Sequence, residues 1–173
     1  MIVLDRAAGI DLGTTNSEIA VLSPSEREMF VYADRFDRRT VPSAVAWDPK
    51  AGEIVVGRPA RARRGKSPPP IESIKRKMGD PSKLEVGPFS LDPAEISAKI
   101  LSELTRLMRG FMAEKASPGV ELAVRRAVVT VPAYFDAPQV EATRRAGELA
   151  GLEVLGVLQE PTAAAIHHAF HRK

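Results

Sequence analysis

The 173-residue sequence predicts an α/β protein built on a mixed β-sheet with crossover helices. Its C-terminal third follows the order strand, helix, strand, helix, which favours right-handed parallel crossovers. Its N-terminal segment instead shows short strands joined by tight turns, a pattern typical of antiparallel pairing. Between the two, residues 96–111 carry apolar side chains at helical spacing, which predicts one long amphipathic helix.

The first two strands flank a polar turn, residues 12–17, which we call the N-terminal turn. An apolar run, residues 7–12, enters it and an alternating run, residues 18–22, leaves it. Gly13 allows the backbone to approach a ligand closely, and the N–H groups after it can form an anion-binding concavity. Hydroxyl or carboxylate groups also stand in or beside the turn, on Asp11, Thr14, Thr15 and Ser17. The pattern indicates a phosphate site with Mg²⁺ beside it, and an ordinary polar turn is an equal alternative on this segment alone.

The middle of the chain predicts small elements. Short strands are expected at residues 29–33, 44–47 and 52–57. Three prolines at residues 68–70 force an extended stretch, and residues 71–78 predict a short helix that ends before a Gly-Asp-Pro sequence.

The long helix has a clear start. Pro93 suits the first helical position and Asp92 suits the N-cap, and the helix is expected to end near Ser117. Its apolar face is expected to pack in the core and comprises Ile96, Ile100, Leu104, Leu107, Met108 and Phe111.

The C-terminal strands point to one edge of the sheet. Residues 127–131 form an apolar strand that ends at Pro132, and this type of strand is buried on both faces of a parallel sheet. Residues 136–150 predict a helix, and residues 154–158 predict the next buried strand, which ends just before Glu160. Ligands of such sheets bind at the carboxyl ends of the strands. The N-terminal turn, Pro132 and Glu160 are therefore expected to meet at one site.

Composition excludes several classes of function. The absence of cysteine excludes disulfides and thiolate metal sites. The N-terminus lacks the pattern of a signal peptide and no segment is long enough to span a membrane, so a cytoplasmic protein is expected. A basic segment holds eight cationic residues against one acid, and a solvated surface is favoured over a nucleic-acid site because no aromatic residues are interleaved. These cationic residues are Arg58, Arg61, Arg63, Arg64, Lys66, Lys75, Arg76 and Lys77.

Four segments resemble the nucleotide-binding domain of the seventy-kilodalton heat-shock chaperones, of the DnaK type. They are residues 9–17, 41–47, 129–135 and 160–165, in the family's order and approximate spacing. The resemblance implies the actin-like, ribonuclease-H-like ATPase fold, of which this chain would be lobe I only, with a mixed five-stranded sheet. A core subdomain, IA, would comprise residues 1–38 and 119–173, and a small inserted α+β subdomain, IB, would comprise residues 39–118.

The resemblance also implies roles for individual residues. Asp11 would hold Mg²⁺ through its water shell, while Gly13, Thr14 and Thr15 would wrap around the β- and γ-phosphates of ATP or ADP. Lys75 matches the catalytic lysine that positions the attacking water, with Lys77 as a neighbouring candidate. Glu160 matches the carboxylate that orders the water and the metal shell, and Pro132 matches the switch proline of interdomain signalling.

An ATP-dependent protein-folding chaperone is the function that the resemblance implies. Its partners would be unfolded polypeptide clients, a J-domain co-chaperone and a nucleotide exchange factor, and neither nucleic acid nor a membrane is expected. The sequence shows no second glycine-rich phosphate loop, adenosine-binding segment or substrate-binding domain, so we expect the isolated chain to be inactive as an ATPase. Alternatives are a non-catalytic interaction or self-association module, or another actin-like ATPase or kinase.

The C-terminal segment departs from the family pattern. His167-His168-Ala169 stands where the family has Ala-Tyr-Gly, and Gln159 replaces an asparagine. His167 and His171 have the i, i+4 spacing of a helical metal pair, but no third ligand is evident. A polar helix end is the favoured interpretation of these histidines.

Overall fold

A computed structural model describes residues 2–22, 29–115 and 120–170 of the chain. The strands are β1 (Ile2–Asp11), β2 (Asn16–Leu22), β3 (Met29–Val31), β4 (Val41–Pro42), β5 (Ala44–Asp48), β6 (Glu53–Val56), β7 (Ile71–Glu72), β8 (Leu84–Val86), β9 (Phe89–Leu91), β10 (Val120–Val131) and β11 (Glu153–Gln159). The helices are α1 (Arg58–Arg61), α2 (Pro93–Ala113), α3 (Ala137–Leu149) and α4 (Glu160–Phe170), with a 3₁₀ helix at Ile74–Lys77.

The main sheet has the strand order β11-β10-β1-β2-β3. The strands β1, β2 and β3 pair antiparallel, whereas β10 pairs parallel with both β1 and β11. The predicted five-stranded mixed sheet is thereby confirmed. The short strand β4 adds to the start of β2, where Ser17 lies opposite Val41.

The core lies between this sheet and the helices α2 and α3. The apolar side chains of α2 at Ile96, Ile100, Leu104 and Met108 are fully buried, whereas Leu107 and Phe111 lie at the margin of the core. Burying one such side chain stabilises the fold by about 1.5–3 kcal/mol. Both helices begin with a capping box, which Asp92 forms with Glu95 and Asp136 forms with Gln139. These reciprocal hydrogen bonds satisfy N–H groups that would otherwise lack partners at the helix starts.

The expectation that β10 and β11 are buried on both faces was wrong. In β10, Ala127 and Val129 are buried, but the intervening Val128 is only half-buried. The edge strand β11 buries Val154 and leaves Leu155 half-exposed. The alternation follows the period of a strand, because successive side chains point to opposite faces of the sheet, and α2 and α3 pack against these strands.

The middle of the chain departs from the predicted elements at two places. Residues 71–78 form β7 and the 3₁₀ helix rather than one short helix, because Ile71 pairs with Val45 of β5. Ser73, between the two, adopts a left-handed conformation with φ 56°. The hairpin of β8 and β9 was not predicted. The division into a core and an insertion at residues 39–118 stays a prediction.

None of the helices in the described part of the chain combines the length and the hydropathy of a transmembrane span.

Candidate functional site

Two serines join the N-terminal turn to the segment that follows β4. The Ser43 hydroxyl donates to the Gly13 carbonyl oxygen at 2.7 Å, and the Ser43 amide donates to the Thr15 carbonyl oxygen at 3.0 Å. The Ser17 hydroxyl lies 2.8 Å from that of Ser43, and both serines are buried. Because the Ser43 hydroxyl proton is donated to the Gly13 carbonyl oxygen, the Ser17 hydroxyl is the donor in its hydrogen bond with Ser43. The expectation that Ser17 adds a hydroxyl for a ligand is therefore wrong, because its hydroxyl is used inside the protein.

Arg61 of α1 contacts the other side of the turn. Its Nη2 donates to the Thr15 carbonyl oxygen at 2.5 Å, and its Nη1 donates to Asn16 Oδ1 at 3.1 Å. Its Nε lies 3.4 Å from a carboxylate oxygen of Glu72. Two residues from the middle of the chain, Ser43 and Arg61, thus occupy three acceptors of the turn, namely the carbonyl oxygens of Gly13 and Thr15 and Oδ1 of Asn16.

The donors of the turn remain available. Within the described ranges, no hydrogen bond is donated by the backbone N–H groups of Gly13, Thr14 or Thr15. Gly13 and Thr14 are half-buried and Thr15 is exposed, so a ligand can approach these groups from solvent. Three successive free N–H donors in a turn carry a partial positive charge, which favours the binding of anions.

Gly13 is required for the closure of the turn. A Cβ atom at this position would lie 2.0 Å from the Asn16 carbonyl oxygen, a backbone atom that cannot rotate away. The sequence assigned this glycine to the close approach of a ligand. The structure supplies a different reason, because the chain itself fills the space.

The ends of β1, β10 and β11 lie side by side. Asp11, which precedes the turn, is therefore level with residues from the C-terminal part of the chain. Asp11 lies opposite Thr130 of β10, and Thr130 lies opposite Leu158 of β11. At about 4.8 Å between neighbouring strands, the Cα atoms of Asp11 and Leu158 are about 10 Å apart. Glu160 follows two residues later, and Pro132 is buried directly after the end of β10. The expected juxtaposition at this sheet edge is present.

The Asp11 carboxylate has one oxygen engaged. Thr130 Oγ1 donates to Asp11 Oδ1 at 2.9 Å, and Oδ2 has no hydrogen-bond or ion-pair partner in the described ranges. No group of three or more potential metal-ligating side chains occurs within those ranges. One carboxylate with a free oxygen beside a turn with free N–H donors fits Mg²⁺, which commonly keeps most of its waters and binds through one or two carboxylates and substrate phosphates.

Lys75 and Glu160 form an ion pair at the same edge. Lys75 Nζ donates to Glu160 Oε1 at 2.5 Å and lies 6.0 Å from the centroid of the Phe135 ring. The Lys75 side chain is 5% exposed, whereas that of Glu160 is 41% exposed. Lys77, the neighbouring candidate, is exposed. The buried lysine stem thus carries its ammonium group to a carboxylate at the end of β11.

Three residues of the site were not predicted from the sequence to belong to it: Ser43, Thr130 and Arg61. Ser43 and Thr130 lie within segments that carry the family resemblance, so their position was a usable signal. Arg61 was grouped with the solvated cationic residues, and no local pattern distinguishes it from its neighbours. His167 is exposed on α4, and His171, the other member of the i, i+4 pair, lies outside the described residues.

Comparison with known proteins agrees with this architecture. The family model described as "Hsp70 protein" matches residues 7–87 and 82–173. The chaperone protein DnaK of Thermosipho melanesiensis is 42% identical over 170 residues, which cover 98% of this chain and 27% of that protein. The DnaK of Mycoplasmopsis pulmonis is 43% identical over 166 residues, covering 95% of this chain and 26% of that protein. The DnaK of Thermosipho africanus is 43% identical over 170 residues, with coverages of 98% and 27%.

The chain thus spans about a quarter of the length of these relatives. Its mixed sheet and its small antiparallel sheets are those of lobe I of the Hsp70 nucleotide-binding domain. The family model covers nearly the whole chain, and we conclude that the chain belongs to the Hsp70 family.

Proposed function

We propose that this chain is the N-terminal half of the ATP-binding domain of an ATP-dependent protein-folding chaperone. The observation that carries the proposal is the N-terminal turn, in which the carbonyl oxygens of Gly13 and Thr15 and Oδ1 of Asn16 accept hydrogen bonds from the protein while three N–H donors are free. Membership of the Hsp70 family supports the same function.

ATP or ADP with Mg²⁺ fits the groups at the sheet edge. The N–H groups of Gly13, Thr14 and Thr15 would bind phosphate oxygens, and the free oxygen of Asp11 would hold the water shell of Mg²⁺. When bound, Mg²⁺ offsets the negative charge of the phosphates. The hydrogen bond from Thr130 fixes the Asp11 carboxylate, so the free oxygen is held in place before the metal arrives.

Lys75 and Glu160 would act on the terminal phosphate and on the attacking water. The ion pair holds the ammonium group at the sheet edge, where it can offset negative charge on a γ-phosphate. Glu160 is open enough to solvent to accept a hydrogen bond from a water molecule as well. We also propose that Pro132, which is buried at the end of β10, is the switch residue.

The activity of the whole protein is part of the proposal. Hydrolysis of ATP would be coupled to the binding and release of unfolded polypeptide, with a J-domain co-chaperone and a nucleotide exchange factor as partners, in the cytoplasm. Because the chain spans only about a quarter of its relatives, we propose that residues outside it complete the nucleotide site. The isolated chain should then bind nucleotide weakly and hydrolyse ATP negligibly, since fewer groups position it.

Nucleotide titration followed by NMR tests the site. Adding Mg-ADP to the ¹⁵N-labelled chain should shift the amide resonances of Gly13, Thr14 and Thr15. The variant Lys75→Met should weaken the response to Mg-ATP, whereas Lys77→Met, which alters an exposed neighbour, should not. Titration without any shift in the turn would contradict the proposed site. Robust ATP turnover by the isolated chain, abolished in Lys75→Ala, would contradict the proposed inactivity.

Self-association is a second candidate function, favoured by exposed apolar side chains. Leu22, Met29 and Leu155 are each about half-exposed, and Ile166 on α4 is 45% exposed. Large exposed apolar residues favour association between molecules when they form one patch. Light scattering should show a dimer that dissociates when Leu22 and Met29 are replaced by serine, and a monomer at all concentrations would contradict this candidate.

A further inference from the structure

Arg61 is a cation that contacts the N-terminal turn directly. It lies on α1, more than forty residues after the turn in the sequence, yet its Nη1 and Nη2 donate to Asn16 and Thr15. We propose that Arg61 is a positioning residue, which holds the turn in the shape that presents its free N–H groups to phosphate. The inference rests on the proposed function and adds a residue to it.

The helix that carries Arg61 is itself fixed. The Arg58 side chain donates to the Thr40 carbonyl oxygen at 2.9 Å, and the Gly57 amide donates to the Ala44 carbonyl oxygen at 2.9 Å. Ala60 is fully buried in a small cluster with Ala44 and Ala46. Arg61 therefore reaches the turn from a rigid base, so its contacts can restrain the turn.

Glu72 does not account for the placement of Arg61. Arg64 supplies Glu72 with two hydrogen bonds, at 2.7 and 2.8 Å, and these bonds are the first cause of the lowered pKa of the Glu72 carboxyl. Arg61 approaches Glu72 only to 3.4 Å, a longer contact than either of its bonds to the turn. The two arginines thus share a carboxylate, but only Arg61 of the two also contacts the turn.

The contact requires a guanidinium group. Its two terminal nitrogens reach two acceptors, a backbone carbonyl and a side-chain amide oxygen, in a fixed fork. A lysine would keep the positive charge but would place one ammonium group between the two acceptors. The variant Arg61→Lys therefore separates the effect of charge from the effect of geometry.

The test compares Arg61→Lys and Arg61→Ala with the matched control Arg64→Ala. Backbone ¹⁵N relaxation reports picosecond-to-nanosecond motion, with order parameters of about 0.85 for rigid backbone and below about 0.6 for flexible backbone. Wild type and Arg64→Ala should keep Thr14 and Thr15 near the rigid value, and both Arg61 variants should lower it. Amide exchange of Ser43, whose N–H is bonded to Thr15, should also become faster by roughly tenfold in these variants.

Nucleotide binding forms the second arm. The Arg61 variants should bind Mg-ADP several-fold more weakly than wild type, and Arg64→Ala should match wild type. Arg61 variants with wild-type order parameters and wild-type affinity would overturn the inference, and circular dichroism of each variant checks that it is folded. If wild type and Arg64→Ala show no response to Mg-ADP, the proposed function fails, and the order parameters still decide whether Arg61 fixes the turn.

Discussion

Replacing Gly13 by alanine is the most direct test of the closed N-terminal turn. The added Cβ would lie 2.0 Å from the Asn16 carbonyl oxygen and 3.2 Å from its carbon. A carbon and a carbonyl oxygen approach each other to about 3.3–3.6 Å even in favourable contacts, so the turn must open by more than about 1 Å. Both atoms belong to the backbone, and no side-chain rotation can relieve the overlap.

The cost can be estimated from the effect of overpacking, which is about 1–3 kcal/mol in well-packed sites. In a domain of this size each kcal/mol lowers Tm by about 2–4 °C, so Gly13→Ala should lower Tm by about 2–12 °C. Gly9→Ala is the matched control because Gly9 lies on β1, the strand that leads into the turn, and its Cβ would meet no atom within 4 Å. Its Tm should be unchanged or slightly higher, since alanine restricts the unfolded chain.

Calorimetric unfolding of the two variants measures this difference, and Mg-ADP titration shows whether the opened turn has lost its donors. We expect Gly13→Ala to lose both stability and the nucleotide response, with Gly9→Ala close to wild type in both. Equal Tm values for the two variants would refute the geometry of the turn.

Two further predictions concern stability away from the site. Asp92→Ala removes the acceptor of the Glu95 amide and the 2.8 Å ion pair with Arg145, so urea denaturation should show a loss of about 0.5–2 kcal/mol, and an unchanged midpoint would contradict the cap. Burial alone would raise the pKa of the Asp34 carboxyl, but two backbone N–H groups and the Arg38 side chain lower that pKa to about 2. Since the ordinary value is 3.8, the stabilisation by Asp34 is complete above that pH and is lost as the pH falls through about 2. The difference in urea midpoint between wild type and Asp34→Asn should therefore shrink between these pH values, and a constant difference would count against the assignment.

The sheet and the edge that carries the candidate site could be predicted because their signals are local. The apolar runs that form β1, β10 and β11 and the crossover order fix which strand ends lie together, and Asp11 and Glu160 follow from those ends. The capped start of α2 could be predicted equally well, since Asp92 and Pro93 are adjacent in the sequence.

The contacts that shape the turn could not be predicted, because they join residues far apart in sequence. Ser43 and Arg61 contact residues of the turn that lie 26 to 46 positions away in the sequence. Neither contact is predicted by a pattern in the residues next to Ser43 or Arg61. The predicted helix at residues 71–78 failed for a related reason. The segment has helical spacing, but pairing with β5 satisfies the backbone groups of Ile71 and Glu72 and outweighs the local preference.

The candidate site combines residues of the predicted core with residues of the predicted insertion. The main sheet and its turn supply Asp11, the three N–H donors and Glu160, while residues 39–118 supply Ser43, Arg61 and Lys75. A displacement of this segment relative to the sheet would release the acceptors of the turn and withdraw the lysine ammonium at the same time. On the functions proposed above, phosphate binding and the orientation of the segment then form one coupled equilibrium, so a nucleotide that favours the closed turn must also favour one orientation of residues 39–118.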